Sequence, residues 1–254
     1  MSDPQEDRLT FKEFLAATGE HIAELRKRLF ISLIALLAGA LICIYFAESI
    51  MAILTRPIGG MERLRSIEVT ENVSAVFRVA LLGGFILACP VILYEILAFI
   101  LPALKQNEKQ TLFTFLPLMI LFFLGGVAFA YFVLLPVAIP FLTSFMGIET
   151  EVRPANYISF VTNMLFWVGV VFEMPLIIFI LARIGVLTAG QLLKNWRQAI
   201  VVCAVLAMII TPTVDPVNMI ILMVPLILLF FLSVLFAALA QKRKQHAETH
   251  HGDR

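Results

Sequence analysis

The sequence predicts an all-α integral membrane protein with six transmembrane helices, and three observations predict it. Hydrophobic residues fill 61% of the 254 positions and the mean hydropathy is +0.96, whereas soluble domains run at about 45–50% apolar. The apolar residues gather into six runs, and a helix crossing ~30 Å of hydrocarbon needs about 20 of them. Fourteen of the nineteen Lys and Arg residues fall on one side of those runs. That asymmetry orients a multispanning chain with its basic side, here holding both termini, in the cytoplasm.

Residues 1–240 read as a single polytopic membrane domain and 241–254 as a polar cytoplasmic tail. The amino-terminal cytoplasmic segment, 1–28, carries six acidic residues; a cleavable signal peptide wants a basic start and a short apolar core instead. Spans are expected at about 29–47, 73–101, 112–135, 158–183, 198–211 and 217–240. The first four are full length. The fifth, with 14 residues, reaches only about 21 Å at the helical rise. The sixth is interrupted by Pro225, and the TPTVDP stretch, Thr211–Pro216, joins the two as a hairpin. A short hairpin requires local thinning of the bilayer or shelter by neighbours.

On the opposite face, Ile50, Met51, Ile53 and Leu54 have helical spacing and end at Arg56-Pro57, and Pro136, Pro140, Phe141 and Phe145 repeat the pattern. Amphipathic pieces of this kind lie in the interface, so the outer loops are expected to form an interfacial cap. The carboxyl tail is polar enough to be expected without structure, and its His246, His250 and His251 read as solvated. No internal repeat or inverted pair of broken segments is seen, which weakens a secondary-transporter reading.

The net charge of +1 implies no nucleic-acid partner. Cys43, Cys89 and Cys203 lie inside apolar runs and read as buried, inert thiols without metal ligands near them. His21 and Glu24 start like a zinc motif, but the second histidine is missing, and neither G-x-S-x-G nor a phosphate-cradling loop occurs. The chain is therefore not expected to be an enzyme, and no cofactor or metal is implied.

Ionisable residues inside the membrane are costly and are site candidates by default. Glu173 lies near the middle of the fourth span, followed by Pro175, which removes a helical hydrogen bond and kinks the chain there. Asn163, Phe166 and Gly169 share roughly its face at helical spacing. The competing reading makes Glu173 a protonated hydrogen-bonding strut between helices. Glu95 sits about two turns inside the cytoplasmic end of the second span and either works there or reaches for the interface. Arg78, near the outer end of that span, reads as a snorkelling side chain. Asp215 suits either turn chemistry or outer contacts.

Glu24 stands within reach of Arg28 at i+4 and Lys27 at i+3, a pair worth about 0.2–0.5 kcal/mol. Glu108, just past the second span, falls on the same cytoplasmic face. Two carboxylates so placed can each hold a guanidinium as a bidentate pair. The surrounding Arg26, Lys27, Arg28, Lys105 and Lys109 repel cations that are placed otherwise.

Four stretches, HIAELRKRL (21–29), LYEILAFILPALKQNE (93–108), GVVFEMP (169–175) and ITPTVDP (210–216) followed by MVPL, resemble TatC, the multispanning core of the twin-arginine protein translocase. The resemblance runs from residue 21 to about 235, with the motifs in family order. It implies a receptor for twin-arginine signal peptides that exports folded proteins across the bacterial cytoplasmic (inner) membrane, driven by the proton-motive force. It further implies partner TatA-type and TatB-type single-span subunits in an oligomeric complex. By this resemblance Glu24, Glu108, Arg26 and Phe99 belong to the signal-peptide surface, and Pro57 and Asp215 to the outer cap. Glu173, with Glu95 secondary, is an intramembrane polar residue that meets partner subunits. The TPTVDP spacing departs from the tighter TPxD form of some relatives. The rival reading is a proton-coupled small-solute transporter or channel subunit, which would need polar residues from several helices converging at midplane.

Overall fold

The computed structural model describes the backbone of residues 4–100, 106–144, 151–211 and 216–249, and the side chains of 22–99, 115–144, 151–211 and 219–241. These residues are almost wholly helical: α1 (Pro4–Tyr45), α2 (Ala47–Leu54), α3 (Val69–Ile100), α4 (Gln106–Phe129), α5 (Leu135–Thr143), α6 (Pro154–Phe172), α7 (Met174–Ile184), α8 (Ala189–Lys194), α9 (Trp196–Ile210) and α10 (Pro216–Thr249). Five stretches are long and apolar enough to cross a membrane: Ile22–Tyr45, Val69–Phe99, Phe115–Thr143, Pro154–Ile184 and Met219–Gln241. The chain is thus a multi-pass membrane protein. The expected fifth span is α9, an apolar helix of 15 residues, about 22 Å long at the helical rise.

Three sequence expectations are corrected. The third span does not end at Leu135: a π turn, Ala130–Leu134, carries α4 directly into α5, so Pro136, Pro140 and Phe141 extend that helix instead of forming a separate piece. Phe145 lies outside the described residues. Pro136 is tolerated because it follows directly on the π turn, a local adjustment that lets a membrane helix satisfy the backbone groups a proline frees. Pro225 does not interrupt α10, which runs through it, as membrane helices allow when neighbours satisfy the freed backbone groups. The tail continues α10 to Thr249; Gln, Lys, Arg, Ala and Glu are all good helix formers. The break at Pro175 is as expected: α6 stops at Phe172, Glu173 is a turn, and α7 starts at Met174.

Glycine governs the closest helix contacts. α1 and α3 pack antiparallel with Gly39 against Gly84, where a Cβ on Gly84 would stand 2.5 Å from the Ala40 N and one on Gly39 2.7 Å from the Gly84 O. Gly83 meets Cys43 in the same way. α4 and α6 approach through Gly126 and Gly169, with Phe123 and Phe172 filling the space beside them. Small residues allow such backbone approach, and between membrane helices that packing supplies much of the attraction. α7 and α10 pack together, with α9 against α10.

The loops after α2 and before α6 are tied to each other. Leu64 and Val152 form a single parallel bridge, and the Arg65 N–H donates to the Val152 carbonyl at 3.1 Å. Tyr131 and Tyr157 hydroxyls donate to the Ile53 and Leu54 carbonyls at 2.7 and 2.8 Å. Pro57 lies in a 3-10 turn, Arg56–Ile58, ended by Gly59 and Gly60 at φ of 101° and 105°, angles that glycine alone adopts freely. Arg153 pairs with Glu68 at 2.7 Å and with Glu71, whose side chain is only 3% exposed. Arg65 and Glu151 sit 3.6 Å apart with 75% and 71% exposure. Removing one partner of a buried pair strands the other charge, whereas exposed pairs contribute little. Arg153→Ala is therefore expected to lower the thermal midpoint of the detergent-solubilised protein clearly, and Arg65→Ala barely, by circular dichroism melting.

Candidate functional site

The α1–α3 crossing sets the first cluster. From Gly39 back to Arg28 on α1 is eleven residues, and from Gly84 on to Glu95 on α3 is also eleven, about 16 Å along each antiparallel helix. The two side chains consequently meet: Arg28 Nη1 donates to Glu95 Oε2 at 3.0 Å. The same guanidinium donates through Nε and Nη2 to Glu24 Oε1 at 3.1 and 2.6 Å. The local i,i+4 pair foreseen for Glu24 is present, but it is part of a triad.

Glu95 does not extend toward the interface. It is buried and turned back onto Arg28, because its register on α3 places it opposite that arginine. Arg26 and Lys27 are exposed beside the cluster, and Phe99, one turn beyond Glu95, is half-buried. Glu108 falls in the first turn of α4, with its side chain outside the described residues. Arg28 occupies Oε1 of Glu24 and Oε2 of Glu95, and the second oxygen of each carboxylate takes no bond from it. Chemically the cluster is a guanidinium socket that holds the chain's own arginine.

Glu173 forms a second, separate feature. It is 5% exposed, and both carboxylate oxygens are buried without a hydrogen-bond partner among the described residues. The break before Pro175 orients it: its N–H bonds the Val170 carbonyl at 3.1 Å, and its own carbonyl accepts from Leu176 and Ile177. An unpaired carboxylate in such surroundings costs several kcal/mol, so the site calls for a hydrogen-bond donor or a bound proton. Gly169, on the same helical face, is covered by Phe123 and Val127 of α4, while Asn163 is exposed at the middle of α6, ten residues or about 15 Å of helix rise before Glu173. The four residues therefore do not form one open polar face. Asp215 lies outside the described residues, and among those described no cluster suits a metal ion.

Sequence reasoning missed two arrangements: Glu95 on Arg28, and the Glu71–Arg153 pair between the loops. A signal for the first exists in the small residues Gly39-Ala40 and Gly83-Gly84, which fix the register once α1 and α3 are assumed to pack. Nothing local marks the second.

Residues 20–225 match the family described as Sec-independent protein translocase protein (TatC). The chain is 37% identical over 239 residues to the protein of that name from Aquifex aeolicus, covering 90% of this chain and 98% of the relative. It is 32% identical over 232 residues to the one from Carboxydothermus hydrogenoformans, covering 90% and 96%. The fold is similar to a crystal structure of the twin arginine translocase receptor TatC, with a TM-score of 0.76 at 36% identity, covering 87% of this chain and 99% of that one.

Proposed function

This chain belongs to the TatC family of Sec-independent protein translocase proteins, and from that premise we propose that it is the signal-peptide receptor and core subunit of a twin-arginine translocase. It exports folded proteins across a bacterial inner membrane, drawing on the proton-motive force, together with TatA-type and TatB-type subunits. In this reading α9 counts as a sixth crossing through locally thinned bilayer, both termini lie in the cytoplasm, and the joined loops with Pro57 cap the outer face.

The observation that carries the proposal is the holding of Arg28 by Glu24 and Glu95. A socket preorganised for one guanidinium suits an exchange in which a visiting arginine takes a carboxylate oxygen while Arg28 shifts to the other acid. Glu108, at the same end of the bundle, supplies the carboxylate for the second arginine, and Arg26 and Phe99 border the path. Lysine, a compact cation without the planar fork, fits such bidentate places poorly.

The test is photo-crosslinking of a twin-arginine signal peptide to the purified protein in detergent. A hydrogen bond to a charged group contributes about 1.5–3 kcal/mol, so Glu24→Ala and Glu108→Ala are each expected to weaken the crosslink at least about tenfold. A twin-lysine peptide should crosslink weakly to the wild type. Crosslinking indifferent to both acids would sink the proposal and leave the Glu24–Arg28–Glu95 triad a structural brace.

A further inference from the structure

We infer that the cleft holding Arg78, between α1, α3 and α6, binds one anionic phospholipid from the leaflet beneath the joined loops. The inference rests on the membrane placement of these helices and not on the signal-peptide reading. The cleft measures about 420 Å³ and is lined by Leu36 of α1, Arg78 and Phe85 of α3, and Thr162, Asn163 and Phe166 of α6, among others. Its floor is aromatic, with the Phe85 and Phe166 rings packed edge to face at 4.8 Å. Arg78 is the one charged residue in its lining. It is exposed, and forms no ion pair among the described residues.

Depth decides the occupant. Arg78 follows Glu71 by seven residues, about 10 Å of helix rise, and Glu71 is tied into the loop layer through Arg153. Helical side chains tilt toward the N-terminus, which on α3 is the loop side, and arginine extends its head toward water along an apolar stem. In a hydrocarbon core of ~30 Å the guanidinium thus meets the boundary between headgroups and acyl chains.

A guanidinium at that level has no acid in the cleft to neutralise it, and its fork matches two oxygens of a phosphodiester. The exposed Asn163 amide adds a donor for a headgroup or ester oxygen. The Thr162 hydroxyl donates to the Ile158 carbonyl at 2.7 Å, which leaves its oxygen to accept from a headgroup hydroxyl. An acyl chain follows the apolar track of Leu36, Phe85 and Phe166. A headgroup ammonium would find no carboxylate here, so a net-anionic, hydroxylated headgroup such as phosphatidylglycerol is preferred over phosphatidylethanolamine.

Native mass spectrometry of the full chain, released from detergent with equal phosphatidylglycerol and phosphatidylethanolamine, tests this directly. One phosphatidylglycerol is expected to be retained about tenfold over its competitor, a difference of one good charge-assisted contact. Arg78→Gln should erase the preference. Leu36→Trp, which fills the groove without touching the charge, should reduce retention of both lipids. Arg197→Gln, at an exposed arginine stacked on Trp196, should change nothing. Equal retention of the two lipids, or a preference that survives Arg78→Gln, would overturn the inference. So would displacement of the lipid by free glycerol phosphate, which would assign the cleft to a soluble anion, or by an acidic apolar peptide, which would assign it to a partner helix.

Discussion

Gly84→Leu is expected to part α1 from α3 and to abolish signal-peptide crosslinking without touching a charged residue. A side chain at this position meets the Ala40 backbone, with N at 2.5 Å and Cα at 2.7 Å from the first carbon added. Backbone cannot rotate out of the way as a side chain can, so the helices must separate or slide. Overpacking a well-packed interface costs about 1–3 kcal/mol, occasionally more, and this contact falls at the high end because no flexible group yields. The consequence reaches the far end of the pair. Arg28 and Glu95 meet because each lies eleven residues from the Gly39–Gly84 crossing, so a slide of one turn there moves them apart by ~5 Å. Gly125→Leu is the control: a Cβ there meets nothing within 4 Å, and its thermal midpoint and crosslinking should match the wild type. Equal behaviour of the two variants would show that the crossing does not set the cluster.

Glu173→Ala is expected to stabilise the isolated chain while reducing transport of a folded cargo to less than about a tenth. Both carboxylate oxygens are buried without a partner among the described residues. Removing an unsatisfied buried polar group relieves about 1–3 kcal/mol, which should appear as a raised thermal midpoint. A residue that destabilises its own chain and persists in a membrane is a candidate for contact with another helix, and such trade-offs between stability and function are general. Transport in reconstituted vesicles should therefore fall, while peptide crosslinking at the Glu24 cluster, to which Glu173 is not bonded, stays intact. Glu173→Gln keeps the hydrogen-bonding shape without the charge and should retain most transport, since the site favours a neutral group. Loss of peptide crosslinking in Glu173→Ala would show that the two sites are one, and a lowered midpoint would show that Glu173 is a strut between helices.

Much of the candidate site was legible in local pattern. Glu24 and Arg28 stand one turn apart on a helix, so their pairing needs no knowledge of the rest of the chain. Pro175 placed the break at Glu173 for an equally local reason, its missing N–H. Glu95 was harder. From its own stretch it is an acid near a helix end, equally suited to reaching water, and only the facing helix turns it onto Arg28. Glu71 and Arg153 are separated by 82 positions, and each looks like an ordinary loop charge. The prolines misled where they were weighed alone: Pro225 sits inside an unbroken α10 and Pro136 inside the continuous third span, because membrane helices find other partners for the groups a proline frees.

By itself the sequence determined the class, the helices and the chemistry available. Apolar runs about 20 residues long, in a chain 61% hydrophobic, leave helices as the form that satisfies every backbone group in lipid. The charged residues within or beside those runs name the candidates for function because each is costly there. The tertiary structure alone decided which of those residues meet. Between helices already surrounded by lipid, hydrophobicity does not select one packing over another. Register is chosen instead by where backbones can approach, at Gly39 against Gly84 and at Gly126 against Gly169. From the first of these contacts follow both the guanidinium held between Glu24 and Glu95 and the antiparallel register that brings it there.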